Sequence, residues 1–164
     1  MTRQAFERHI VLVSPEIHWN TGNIGRSCLG AGAWLHLIKP LGFSLEGREV
    51  KRAGLDYWDR VNLWVWENFE DFSEKTAFKE SEAVVLTKTG RNPVWQLPKI
   101  TSRQFLIFGS ETQGLPIEIQ EKFTADQTYY IPIREDIRSL NLSTAVGIAL
   151  YESLREAPDF HFWS

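Results

Sequence analysis

Six short apolar runs recur along this chain, His9–Val13, Trp34–Ile38, Val61–Trp66, Ala83–Leu86, Phe105–Phe108 and Tyr129–Ile133, and they restrict its fold more than any other feature. Runs of this length read as strands. The segments between them, 21–32, 68–79, 116–122 and 141–156, have helical composition or periodicity. Such alternation predicts an α/β domain with a largely parallel sheet. The last helix is the clearest: Leu142, Val146, Ala149, Leu150 and Leu154 fall on one face, and Pro158 follows its end. Beyond it, Phe160-His161-Phe162-Trp163 forms an aromatic tail, expected to pack back on the domain or across a subunit boundary. No repeat or low-complexity linker interrupts the pattern, so a single domain over residues 1–164 is expected.

Composition narrows the function classes. No apolar run approaches the roughly 18 residues of a membrane span, residues 1–8 lack the apolar core of a signal peptide, and one cysteine, Cys28, excludes an intramolecular disulfide framework. A cytoplasmic protein without membrane contact is expected. One cysteine and four scattered histidines, His9, His18, His36 and His161, offer no metal-ligand spacing, so no metal is expected. Cys28 lies in a small-residue helix and reads as buried packing. The net charge of −3 is not that of a non-specific nucleic-acid binder, but residues 1–60 carry eight Lys/Arg against six Asp/Glu. Any nucleic-acid face should therefore involve the first third and local basic patches.

Ligand sites in parallel α/β proteins open at the carboxyl ends of the strands, and three loops there concentrate functional residue types. Asn20-Thr21-Gly22-Asn23-Ile24-Gly25-Arg26 follows the first strand and opens a helix; as a plain cap and turn it needs no ligand. Phe108-Gly109-Ser110-Glu111-Thr112-Gln113-Gly114-Leu115-Pro116 combines two glycines, a carboxylate and a helix-starting proline, and Glu111 could simply favour the dipole of the next helix. The third, Ile131-Pro132-Ile133-Arg134-Glu135-Asp136-Ile137-Arg138-Ser139-Leu140-Asn141-Leu142-Ser143, leads into the last helix, with Ser139 or Asn141 as its N-cap. Rossmann and P-loop fingerprints are absent.

Together the three loops resemble, in order, the three signature motifs of the SpoU branch of the SPOUT (SpoU/TrmD) RNA methyltransferases. With Arg52-Ala53-Gly54-Leu55-Asp56-Tyr57-Trp58, the set is similar to the tRNA (cytidine/uridine-2′-O-)-methyltransferase subfamily called TrmL or YibK, over about residues 9–156. The resemblance implies a parallel sheet with a C-terminal trefoil knot, which general topology rules would never propose. It implies a homodimer using S-adenosylmethionine, with Thr87, Gly109, Ile131, Ser139 and Leu140 contacting the cofactor largely through backbone groups. It also implies 2′-O-methylation of the ribose at the wobble nucleotide, position 34, within the anticodon stem-loop of leucine tRNA isoacceptors. Arg26 and Asn20 become the active-site pair, with Glu111, Ser139 and Asn141 as the other matching catalytic positions. Arg26 would take the 2′-hydroxyl proton transiently, or stabilise the developing alkoxide and hold a phosphate. The alternatives are another tRNA or rRNA nucleotide, or a catalytically silent RNA-binding relative.

RNA must still find a basic surface. Arg48, Lys51 and Arg52, with Lys88 and Arg91 after the fourth strand, are the candidate phosphate contacts. Trp58 is a candidate platform for an unpaired base, whereas Trp64 and Trp66 are expected in the core.

Overall fold

The structure, a computed structural model, describes residues 6–46, 55–100, 102–155 and 157. Its centre is a seven-stranded, wholly parallel sheet. The strands are β1 (Glu7–Val13), β2 (Trp34–Ile38), β3 (Leu63–Trp66), β4 (Ala83–Leu86), β5 (Asn92–Pro93), β6 (Arg103–Phe108) and β7 (Thr128–Tyr130), in the spatial order β3-β2-β1-β6-β4-β7-β5. The helices are α1 (His18–Ala31), α2 (Phe69–Thr76), α3 (Ile117–Gln120) and α4 (Leu142–Ser153).

Both faces of the sheet are covered, so the central strands are continuously apolar rather than alternating. Ile10, Leu12, Leu35, Leu37, Leu106 and Phe108 point to one side, where Ile24 and Cys28 of α1 and Val146, Ala149 and Leu150 of α4 close a single core. Val11, Val13, Val85, Phe105 and Ile107 point to the other, against Phe69 and Phe72 of α2 and Ile119 of α3. Cys28 is buried as expected, and desolvation pushes its thiol up to about 12. Gly25 lets α1 approach the 3-10 helix Leu55–Arg60, since a Cβ there would stand 2.8 Å from the Trp58 ring. Trp58 therefore packs against the core rather than standing free as a stacking platform.

Two expectations about the third strand need correction. The third strand begins at Leu63, not Val61, and Trp64 is 53% exposed because β3 is an edge strand. Trp66 is half-buried and donates its indole N–H to His36 Nδ1 at 3.1 Å. His36 Nε2 and His9 Nδ1 then lie 2.8 Å apart, and His9 Nε2 lies 3.0 Å from a Glu7 carboxylate oxygen. Indole nitrogen can only donate and carboxylate can only accept, so the direction of this chain fixes both tautomers and keeps both imidazoles neutral.

At the amino ends of the strands, Arg8 is buried, with no carboxylate partner among the described residues. Its guanidinium donates to Ser153 Oγ and to the carbonyls of Glu7, Ile100, Ser102 and Ser153, tying the end of α4 to the sheet. Beside it across the β1–β6 ladder, Gln104 is fully buried and neither amide atom has a partner among the described residues.

Candidate active site

The carboxyl ends of β4, β6 and β7 open onto a cleft of about 450 Å³. That volume lies in the usual range for a small-molecule site. All three loops singled out from the sequence meet in it. One wall is the loop Gly109–Leu115, another is Ile131, Ile133 and Ser139–Leu142, the floor is Leu86, Phe108 and Tyr129, and Ile17 and Asn20 border it from the start of α1.

The Gly109–Leu115 wall is stiff. Ser110 and Gly114 form an antiparallel bridge, exchanging backbone hydrogen bonds of 3.2 and 3.1 Å, and Gly114 sits at φ 68°. A Cβ on Gly109 would stand 2.1 Å from the Gly114 carbonyl carbon and the Leu115 nitrogen, so only glycine closes this turn. Thr87 N donates to Tyr129 O at 2.9 Å, fastening the loop after β4 to β7. Among the described residues, the backbone of 138–140 enters no hydrogen bond, which leaves its polar groups available to a ligand.

Glu111 does not serve the helix that follows it. Its carboxylate accepts from the backbone N–H groups of Glu16, at 2.7 Å, and Ile17, at 3.1 Å, and from Asn20 Nδ2 at 3.3 Å. α1 has no side-chain cap of its own, so this distant carboxylate supplies the negative charge at its N-terminus. That also explains why α1 starts at His18, before the Thr21 expected from local composition. Because Glu111 can only accept, Asn20 must present its amide nitrogen to it and its oxygen elsewhere. Asn141 Nδ2 donates to that oxygen at 3.0 Å, while Asn141 Oδ1 caps α4 by accepting from Ser143 N at 2.9 Å. Asn20, Glu111 and Asn141 thus form one directional network joining all three loops.

The remaining expected positions divide. Thr87, Lys88, Gly109, Ile131, Ser139 and Leu140 line the cleft. Arg26 does not: it is exposed on α1, its guanidinium 5.6 Å from the centre of the Tyr57 ring, and Tyr57 donates to Gly22 O. Arg91 also stands outside, paired with Asp126 at 2.9 Å in an exposed salt bridge. Arg48, Lys51 and Arg52 lie outside the described residues. Sequence reasoning passed over Ile17, Leu115, Tyr129 and Ile133, ordinary apolar residues whose place in the cleft depends on the sheet order. It also passed over Glu16, although Pro15-Glu16-Ile17 lies only two residues before the first loop. Among the described residues no group of three or more metal-ligating side chains occurs, and no helix is long and apolar enough to cross a membrane.

Residues 7–151 match the model of the SpoU rRNA methylase family. The chain belongs to this family. Among its SpoU relatives, a tRNA (cytidine(34)-2′-O)-methyltransferase of Aeromonas hydrophila is 44% identical over 147 residues, covering 90% of this chain and 92% of that protein. A solved structure described as giving structural insights into the 2-OH methylation of C/U34 on tRNA superposes with a TM-score of 0.82 at 40% identity, over 92% of this chain and 96% of that one. A third, an AdoMet-bound rRNA methyltransferase from Sinorhizobium meliloti, gives a TM-score of 0.83 at 25% identity, over 95% of this chain and 59% of that one. The two solved structures share the α/β fold of this chain.

Proposed function

We propose that this SpoU protein transfers a methyl group from S-adenosylmethionine to the ribose 2′-hydroxyl of nucleotide 34 in tRNA, with leucine isoacceptors as substrates. The observation that carries this reading is the convergence of three separate loops on one cleft, with Asn20, Glu111 and Asn141 hydrogen-bonded together at its edge. The names of the relatives supply the reaction and the nucleotide. The cleft fits an adenosyl group: Leu86, Leu115, Ile131 and Leu140 offer apolar walls, and the unpaired 138–140 backbone offers donors and acceptors to a purine edge.

The bound cofactor supplies an electrophilic methyl group on a sulfonium. The protein's task is alignment, and fixing two reactants in a reactive geometry contributes about 7–11 kcal/mol. Gly109, Ile131, Ser139, Leu140 and Thr87 hold the cofactor, while the Asn20–Glu111–Asn141 network keeps the first turns of α1 and α4 in place around it. The Arg26 guanidinium stabilises the developing alkoxide as the 2′-hydroxyl proton passes to water, and Lys88, on the rim, contacts phosphate.

Because Arg26 stands outside its own protomer's cleft, the reading includes a homodimer in which α1 and α4 meet a second copy. Exposed Trp19 on α1, with Ile148 and Tyr151 on α4, support such a face. The reading also includes a trefoil knot formed by the C-terminal segment. It is supported by the sheet order, which inserts β7 between β4 and β5 before α4 returns to pack on α1. The anticodon stem-loop is the RNA partner and the cytoplasm the expected compartment.

The test is methyl transfer from labelled S-adenosylmethionine to unmodified total tRNA, with the product mapped by nuclease digestion and mass spectrometry. A 2′-O-methyl group at nucleotide 34, lost by orders of magnitude in Arg26→Ala, is the expected result. Label at another nucleotide refutes the substrate, and near-normal turnover by Arg26→Ala removes that residue from the site.

A further inference from the structure

Glu16 and Glu111 face one another across the seam between the loop before α1 and the Gly109–Leu115 loop, and each carboxylate bonds to the other's loop. Glu111 takes the backbone N–H groups of Glu16 and Ile17. In return, Glu16 accepts from the Thr112 hydroxyl at 2.6 and 2.8 Å and from Thr112 N at 3.3 Å. The two halves differ in position. Glu111 anchors the base of its loop, whereas Thr112 is at the exposed tip, one residue before Gln113, which folds back to Ser110 Oγ. Glu16 makes the only hydrogen bonds of Thr112 among the described residues.

We infer that Glu16 is a positioning residue for the cofactor: through Thr112 it latches the tip of the Gly109–Leu115 wall to the start of α1 and so fixes the width of the cleft. Glu16 does not line the cleft, but the residues on either side of the latch do, Ile17 and Asn20 on one bank and Gly109 through Leu115 on the other. Hydrogen bonds from Thr112 and Ser110 hold the Glu16 carboxyl below the usual carboxylate range, so the latch carries its charge at neutral pH. A pre-set wall spares the cofactor the cost of ordering it. Opening the latch therefore weakens cofactor binding while the methyl-transfer step, once the cofactor is seated, proceeds as before.

This inference rests on the cofactor occupying the cleft. The experiment is calorimetric titration of S-adenosylhomocysteine into the wild type, Glu16→Gln, Thr112→Val and the double variant, with steady-state transfer kinetics and a thermal melt on each. Each single variant is expected to raise Kd, and KM for S-adenosylmethionine, by roughly three- to tenfold, the scale of losing one ordinary net hydrogen bond, with kcat retained. The double variant is expected to bind no more weakly than either single one, because both remove the same contact. Thr112→Ser, which keeps the hydroxyl, restores binding. Unchanged Kd in both single variants, losses that multiply in the double, or a lowered melting temperature with unchanged Kd overturns the latch. A wild type that binds no S-adenosylhomocysteine overturns the cofactor reading itself, and the latch falls with it.

Discussion

The buried histidine pair makes the stability of this SpoU protein fall in a pH range where its carboxylates are still charged. His36 is 3% exposed, and desolvation with the neighbouring His9 lowers its pKa from 6.5 to about 3. His9 is lowered too, by desolvation first and against the opposing pull of Glu7 and Glu82, while Arg103 adds to the lowering. Below its ordinary pKa an unfolded histidine takes up a proton that the folded one refuses, so the unfolded state binds more protons and stability drops as pH falls. Between about pH 7.5 and about pH 5 the two His36 values convert to a loss of about 2 kcal/mol, with His9 adding to it in the same direction. Nothing further is lost through His36 once the pH passes below about 3. The measurement is urea unfolding at both pH values, extrapolated to water, for the wild type and for His36→Leu. The variant loses the acceptor for Trp66 and is less stable at both pH values, yet its stability should differ between them by about 2 kcal/mol less than the wild type's. An identical pH dependence in the two proteins, or a folded-state titration of His36 by NMR centred near its ordinary value, refutes the reasoning.

Two further substitutions probe the site and the core. Gly109→Ala places a methyl group against the Gly114 carbonyl, so the loop must shift; S-adenosylhomocysteine affinity should fall by roughly fivefold to a hundredfold, the equivalent of about 1–3 kcal/mol of backbone strain, with circular dichroism unchanged. Gln104→Leu replaces an unpartnered buried amide by an apolar group of similar size and should raise unfolding free energy by about 1 kcal/mol in urea titration.

What could be read from the sequence follows the range of the interactions concerned. β2 and β4 fall on the expected residues because a short apolar run is a local signal, and the apolar face of α4 follows from local periodicity. β5 was missed because two residues carry no pattern. Trp64 was misplaced because burial of a strand depends on its rank in the sheet, and β3 is at the edge. The histidine pair was likewise invisible: His9 and His36 meet only because β1 pairs with β2 in one particular register. At the site, the three loops were legible as motifs, and the cap of α4 as Ser139 or Asn141, of which the structure uses Asn141. That Glu111 would cap α1 rather than α3 was not, since its partners lie more than ninety residues away.

The sheet order has a consequence for synthesis. As the chain leaves the ribosome, β1, β2 and β3 can assemble at once, but the other edge of β1 waits for β6. Through that interval it is an unpaired template, the kind of edge that recruits foreign strands. β7, the last strand made, then needs a slot between β4 and β5, two strands that cannot have paired with each other without closing it. The nascent protein thus finishes by insertion rather than by addition, and its yield in the cell should depend on how long that slot stays open.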